Sequence, residues 1–358
     1  MSEMTCAATP TSGAGRPRFA LVGCGDFGKH LAGYAVEHAE LAALCDPDAG
    51  NLAATAAALG TGVPRYGDYR ELLRRERVDA VLVTAANHVH AQITVAAAEA
   101  GVHVFCEKAM ARTARECWEM VAACRRHGVK LMVGHKRRLR PPWARMVELT
   151  ADDLLGAPLS ITVAQYTDNR PYEFFDTWWS DPARSGGFFH MHGVHVIDWF
   201  RAMCGGARDV HAVSGPQHDP RYGFRDIVHA TYRFHSGAVA TIVGGLSFPL
   251  HQFRESQGPW GECRHGGFKL VPSLDHIDLY WQRLDAATAQ HERFDDLGFA
   301  HAYRREIGDF FRWIGTGAEP CLTWVEGLRC VELMEGAYRS AQQDGRVVEF
   351  PLHPELEP

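Results

Sequence analysis

Gly23-Cys24-Gly25-Asp26-Phe27-Gly28 has the spacing G-x-G-x-x-G, directly after the apolar run Phe19–Val22 and before a helix-like stretch. In that setting the first glycine makes the turn and the second lets a pyrophosphate approach the backbone. The third lets helix and strand pack closely, while the helix N-terminus offers free N–H groups and a favourable dipole. The motif therefore points to a bound dinucleotide; the plainer alternative is a packing turn. Asp46 ends the next apolar run, about 20 residues on, where a carboxylate accepts hydrogen bonds from ribose hydroxyls and repels a 2′-phosphate. That favours NAD, with NADP as the alternative; Asp46 before Pro47 also suits a simple turn. Lys108 follows Glu107 at the end of a further apolar run, where open α/β sheets place their ligands. His190, His192 and His195 are spaced H-x-H-x-x-H. No carboxylate or cysteine at ligand spacing completes a metal set, so no metal is expected. Asp198 falls three residues after His195 and on a helix would share its face. It would either orient the imidazole or pack near a helix terminus.

The elements that must position these groups follow from the pattern. Apolar runs at 19–22, 41–45, 78–83, 102–105 and 129–133 alternate with helical stretches at 27–39, 51–59, 90–100 and 113–127. Thr113 and Glu116 form a capping-box signature, and Gly101 and Gly128 suit helix ends. Strands alternating with helices predict a parallel, doubly wound Rossmann sheet, and wholly apolar strands imply cover on both faces. After about residue 138 the rhythm breaks at Arg140-Pro-Pro-Trp143. Strands are expected at 160–166, 227–234, 238–243 and 277–281, with a hairpin at Ser236-Gly237 and a long amphipathic helix over 324–343. The expected organisation is a flexible tail at 1–17, a nucleotide-binding domain at 18–137 and a substrate-binding and oligomerisation α/β domain at 138–358. The last is built on a large, mostly antiparallel open sheet.

Composition narrows the function classes. The 358 residues, 46% hydrophobic and 22% charged, suit about two globular domains. Net charge is −6 and the basic residues do not cluster, which argues against a nucleic-acid partner. The one local basic run, Lys136-Arg137-Arg138 with Arg140, is short and follows an apolar strand. No window approaches 18 consecutive apolar residues and the first 17 lack a signal-peptide pattern, so no membrane partner is expected. Ten cysteines without a C-x-x-C pair fit a reducing, cytoplasmic location.

Further segments carry a resemblance. Asn87-His88-Val89-His90 is similar to an N-H-x-H segment on the cofactor side of the Gfo/Idh/MocA oxidoreductases, with Ala85-Ala86 in place of the usual Thr-Pro. Gly101 through Glu107-Lys108 resembles that family's EKP signature. Ser185-Gly186-Gly187 through Gly193-Val194-His195-Val196-Ile197-Asp198 resembles its glycine-rich G-x-H-x-x-D segment. The Trp324 helix with Ser340 and Val347-Val348 resembles its closing elements.

The resemblance covers nearly the whole chain. It implies bound NAD(P), a sugar, cyclitol or related polyol as substrate, and an open C-terminal sheet that supports homo-oligomers; the leading reading is a dehydrogenase or reductase of a sugar, cyclitol or amino-substituted analogue. It also implies Lys108 as the catalytic lysine and His195 as the acid/base. Expected cofactor contacts are Gly23, Gly25, Asp26, Phe27, Gly28, Asp46, Asn87, His88, His90, Glu107 and Lys108.

Such a dehydrogenase must remove a hydroxyl proton as hydride leaves. Histidine, with a pKa near neutrality, suits that task. A lysine beside a cationic nicotinamide would have its pKa pulled down. The aromatic and polar stretch from Tyr166 to Trp179 is expected either to form a sugar-binding wall, with Asn169 or Arg170 on hydroxyls, or to pack on the domain junction. Two departures stand out. Ala109 replaces the proline after the signature lysine, and Met191 replaces an aspartate four residues before the catalytic histidine. His192 or His190 is then expected to take over substrate contact. NAD-dependent glycoside hydrolysis and non-catalytic ligand sensing are the competing functions; retention of Lys108 and His195 argues against a sensor.

Overall fold

The computed structural model describes residues 15–151, 154–171, 177–248, 258–273, 275–295 and 298–356. The tail expected at 1–17 lies outside the described residues up to position 14, and so does Tyr172 within the aromatic stretch. The first part alternates strand and helix: β1 (Arg18–Val22), α1 (Asp26–Ala35), β2 (Glu40–Cys45), α2 (Ala49–Ala58), β3 (Arg65–Tyr66), α3 (Tyr69–Arg75), β4 (Ala80–Val83), α4 (His90–Glu99), β5 (His103–Glu107), α5 (Ala114–His127) and β6 (Leu131–Gly134). All six strands are parallel, in the order β3-β2-β1-β4-β5-β6. Order reverses between β1 and β4, which opens the crevice where such sheets bind ligands. The central strands are buried over Phe19–Val22 and Ala80–Val83, as helices on both faces require.

Local signals match their elements closely. Thr113 caps α5 by accepting the Glu116 N–H at 3.1 Å, and Gly128 closes it at φ 66°. The reciprocal half of the capping box differs: Glu116 accepts the N–H of Arg112, not of Thr113, and pairs with the Arg112 side chain. The pair β3–α3 has no counterpart in the sequence expectations, because a two-residue strand has no periodicity to read.

The second part comprises α6 (Pro141–Ala151), β7 (Pro158–Tyr166), α7 (Pro182–Ser185), α8 (Val194–Cys204), β8 (Ala207–Ser214), β9 (Ile227–Phe234), β10 (Val239–Gly245), β11 (Trp260–Cys263), β12 (Gly266–Pro272), β13 (Ile277–Arg283), β14 (Gln290–Phe294), α9 (Ala300–Thr316), α10 (Trp324–Gln342) and β15 (Val348–Glu349). Nine strands form one sheet, β14-β13-β12-β11-β7-β10-β9-β8-β15, antiparallel except for the β7–β10 pair. The hairpin turns at Gly237, φ 89°. Residues of α8 and α10 share the core under one sheet face with the buried Trp199, Tyr232 and Phe268. The opposite face leaves Val239, Trp260 and Tyr280 exposed.

One helix crosses the division expected at residue 138. α9 follows the second sheet in the chain but packs on the first, with Phe311 against Phe19 (6.0 Å) and Phe310 against Phe105 (5.7 Å). Its Ile307, Phe310 and Phe311 recur at helical spacing and bury a stripe there.

Candidate active site

The turn after β1 is built around its glycines. Gly23 has φ 102°, and a Cβ there would lie 2.4 Å from the Ala85 nitrogen. A Cβ on Gly28 would lie 2.0 Å from the Gly23 carbonyl oxygen, so helix and turn touch only because both are bare. A Cβ on Gly25 would meet nothing within 4 Å, because this position faces a groove. That groove, about 600 Å³, is lined by Gly23, Gly25, Asp46, Asp48, Thr84 and His88 among others. No side chain caps α1, so its first-turn N–H groups remain for a phosphate. Asp46 accepts the N–H groups of Cys24 (2.7 Å) and Asp48 (2.9 Å), which fixes its carboxylate on the groove wall. This cradle fits a dinucleotide.

Other expected cofactor contacts are placed differently. The Asn87 amide donates to the Ser185 carbonyl at 2.7 Å, tying the groove's rim to the second part of the chain. His90 is buried, with its ring nitrogens on the Ala85 and Ala109 carbonyls. Asp26 points outward to Lys29 (2.8 Å), and Phe27 packs on Tyr303 under the Lys136 ammonium. Glu107 is buried and faces Lys136 at 3.9 Å. None of these side chains lines the groove; the buried Asn87 and His90 take partners within the fold.

A second cleft, about 270 Å³, is lined by Lys108, Lys136, Arg137, Gln165, Asp168, Asn169, Met191, His192 and His195, with Thr167, Trp179 and Phe299. Lys108 extends from the end of β5, and its Nζ lies 3.5 Å from the Met191 carbonyl. Its peptide to Ala109 is cis. A turn of π-helix, Phe189–Gly193, leads into α8 and sets His195 in that helix's first turn. His195 Nδ1 is buried without a hydrogen-bond partner among the described residues. The Asn169 amide nitrogen is 3.1 Å from His192 Nε2 and, donating to it, leaves the proton on Nδ1.

Charge in this cleft is mostly positive. Burial, then Lys136 and Arg137, push the Lys108 ammonium down to about 8, against the opposing pull of Glu107. Burial, Lys108 and Arg137 push His192 down to about 3. The same causes, with Lys136 and His135, drive His195 well below its ordinary range. Both imidazoles are therefore neutral at pH 7. That differs from the expectation of a histidine poised near neutrality: the group nearest neutrality is the lysine.

Several expected substrate contacts turn elsewhere. Asp198 does not orient His195; its carboxylate is held by the Arg138 guanidinium (2.8 Å from Nε), which also reaches Glu326 at 2.7 Å. The largely covered Arg138, with a side chain 12% exposed, requires a counter-charge, and the buried Asp198 faces it. His190 sits on the Arg112 carbonyl (2.9 Å) and stacks on Tyr338, so only His192 of the two alternatives reaches the cleft. Tyr166 packs on Phe248, because strand alternation turns its neighbour Gln165 inward instead. Arg170 is a bidentate partner of Asp168 (2.7 and 2.8 Å), and Asn169 alone of that pair lines the cleft. His190, His192 and His195 do not converge on a metal position. Among the described residues, His135, Asp198 and Cys330 do lie within 4.8 Å of one another, but Arg138 already holds that carboxylate. Lys136, Arg137, Gln165 and Phe299 were missed as cleft residues. The basic run directly after a parallel strand was the available signal.

A parallel dinucleotide sheet whose crevice opens on a lysine- and histidine-bearing cleft defines the class of nicotinamide-dependent oxidoreductases. Residues 17–135 match the oxidoreductase family with an NAD-binding Rossmann fold, and residues 143–257 match the GFO/IDH/MocA C-terminal domain. The chain is 31% identical over 354 residues to inositol 2-dehydrogenase from Salmonella paratyphi B, spanning 94% of this chain and 98% of that one. It is 28% identical over 313 residues to D-xylose 1-dehydrogenase (NADP+) 2 from Haloferax volcanii, spanning 87% and 93%. Among solved structures, the WlbA dehydrogenase of Bordetella pertussis, in complex with NADH and UDP-GlcNAcA, superposes with a TM-score of 0.81 at 25% identity, over 94% of this chain and 99% of that one. The protein belongs to the Gfo/Idh/MocA family of oxidoreductases.

Proposed function

We propose that this protein moves a hydride between NAD and a secondary alcohol or ketone of a sugar, a cyclitol or an amino-substituted analogue, with the carbohydrate in the 270 Å³ cleft. The observation that carries the reading is the Lys108 amine beside His195 in a cleft whose Trp179 adjoins Trp178 on the wall of the dinucleotide groove; burial and Lys136 lower that amine to about 8. When bound, the nicotinamide supplies the hydride acceptor or donor. The chain's residues do the rest. Neutral Lys108 takes the hydroxyl proton during oxidation, and its ammonium returns it during reduction. His195, neutral and with one ring nitrogen in the protein, hydrogen-bonds the same oxygen and orients it. Asn169 and His192 form a coupled pair for neighbouring hydroxyls. Asp46 on the groove wall supports NAD over NADP.

Two further parts of the proposal concern assembly and location. The exposed outer face of the nine-stranded sheet, with Trp260 at 44% and Tyr280 at 39% exposure, supports association of copies through that sheet. The described cysteines are all free, which supports a cytoplasmic location; no helix among the described residues is long and apolar enough to cross a membrane.

The test is absorbance of reduced cofactor during incubation with NAD or NADP and a panel of sugars and polyols. Substrate-dependent reduction is expected. Glycoside cleavage without net NADH, or ligand binding without turnover, would overturn the dehydrogenase reading.

A further inference from the structure

Resting on the reading of a nucleotide-dependent oxidoreductase, we propose that Arg184 binds the phosphate bridge of the dinucleotide, so that a strap from the second part of the chain completes the cofactor site.

The strap is the segment 177–191, and hydrogen bonds fasten it to the loops that follow β4 and β5. The Asn87 amide donates to the Ser185 carbonyl at 2.7 Å, and the Arg112 guanidinium donates to the Ala183 carbonyl at 2.7 Å. His190 Nε2 donates in turn to the Arg112 carbonyl at 2.9 Å. The turn between these anchors needs glycine: Gly186 and Gly187 have φ 85° and 80°, and a Cβ on Gly186 would overlap the His190 ring. Backbone held in this way has little freedom left to lose when a ligand arrives.

Two strap side chains, Trp178 and Arg184, line the 600 Å³ groove. Arg184 stands on α7, and its guanidinium makes no hydrogen bond or ion pair among the described residues. The carboxylates of the groove are engaged in turns and helix caps. Asp46 accepts the N–H groups of Cys24 and Asp48, Asp48 those of Gly50 and Asn51, and Asp68 that of Arg70. Asp181 caps α7 itself, accepting the Ala183 N–H at 2.8 Å. The other arginine of the groove, Arg70, lies over the Tyr69 ring at 4.5 Å and 3.9 Å from Asp68. Arg184 therefore brings to the groove a charge that the fold does not use. The anion that every dinucleotide carries is phosphate, which matches the guanidinium fork.

Position decides which phosphate. In the sheet, β2 and β4 flank β1 on opposite sides. Asp46, at the end of β2, marks the side of the adenosine ribose, where a 2′-phosphate would lie. Arg184 is on the β4 side, beside His88: burial, then the Arg184 and Arg112 cations, hold that imidazole below its ordinary range. Between the two sides lie Gly23, Gly25 and the open N-terminus of α1. The bridging phosphates thus take the α1 N–H groups on one wall and Arg184 on the other.

The experiment is calorimetry of NAD, NADP, ADP-ribose and adenosine with wild type, Arg184→Gln and Arg184→Lys. ADP-ribose keeps the phosphate bridge without nicotinamide, and adenosine has neither. Arg184→Gln is expected to weaken NAD, NADP and ADP-ribose by about tenfold each and to leave adenosine unchanged, while Arg184→Lys retains part of the affinity. Added salt should weaken ADP-ribose more in wild type than in Arg184→Gln, because an exposed cation is screened. A loss confined to NADP assigns Arg184 to a 2′-phosphate and overturns the inference, as does an equal loss for adenosine. Unchanged ADP-ribose affinity in Arg184→Gln, with turnover of a sugar or polyol by wild type, overturns the inference and leaves the dehydrogenase reading standing. ADP-ribose binding that depends on Arg184, without turnover of any sugar or polyol, upholds the inference and overturns the dehydrogenase reading. A wild type that binds neither NAD nor ADP-ribose overturns both. Should Arg184→Gln not fold, Arg184→Lys and the salt dependence of wild type still decide.

Discussion

The Lys108 ammonium lies 3.5 Å from the main-chain oxygen of Met191, so the end of β5 and the π-turn before α8 meet across the cleft at an amine and a carbonyl. Burial, then the neighbouring Lys136 and Arg137, lower the Lys108 ammonium to about 8 against the pull of Glu107, and a carbonyl dipole offsets that lowering far less than a second carboxylate would.

Alcohol oxidation needs the neutral amine. Its kcat/KM should therefore rise with pH through an apparent pKa near 8 and level off above it, while ketone reduction should fall over the same range. Lys108→Ala should lower turnover by about 10²–10⁴-fold and remove the limb. Profiles flat from pH 6 to 9.5 in wild type would eliminate the lysine as proton carrier.

Met191→Asp restores a negative charge beside that amine. The oxidation limb should move to higher pH, because an anion stabilises the ammonium. The measurement is the same pH profile; a limb that stays in place or moves down contradicts the geometry.

Asp198 serves the fold, through Arg138 and Glu326. Asp198→Asn should cost about 3 kcal/mol, the scale for breaking a buried ion pair, and should leave the pH profile of the folded fraction unshifted. Urea unfolding and kinetics on one preparation separate this from a role in orienting His195, which would change the profile.

Replacing Asp46 with Asn keeps an acceptor for the Cys24 N–H but removes the charge on the groove wall. The preference for NAD over NADP should narrow about tenfold, equivalent to about 1.4 kcal/mol. Dissociation constants for both nucleotides test this directly, and an unchanged ratio would assign the preference elsewhere.

Buried histidines make the fold acid-sensitive. Burial depresses His90, His135 and His190, the last to about 4. Below the unfolded value near 6.5 the unfolded chain binds protons that the folded chain refuses, so stability falls as pH drops. The slope approaches about 1.4 kcal/mol per pH unit for each histidine until the folded pKa is reached. Their full contribution is present above pH 7. A urea midpoint at pH 5 equal to that at pH 7.5 would contradict it.

Much of this was determined by sequence alone. Apolar periodicity, end-cap residues and the bare glycines at 23, 25 and 28 specify the strands, the helices and the dinucleotide turn, because they act over a few residues of contiguous chain. The positions of Lys108 and His195 at element ends were legible for the same reason. Partner choice was not. Asp198 shares a helix with His195 but faces Arg138, 60 residues away in the chain; Gln165 enters the cleft while Tyr166 leaves it; α9 returns to the first sheet. Which buried charge meets which counter-charge depends on how distant elements pack, since a desolvated ion takes whatever partner the fold brings within reach. Tertiary structure therefore decided the charge of the cleft, and with it the protonation of the groups that sequence had only located.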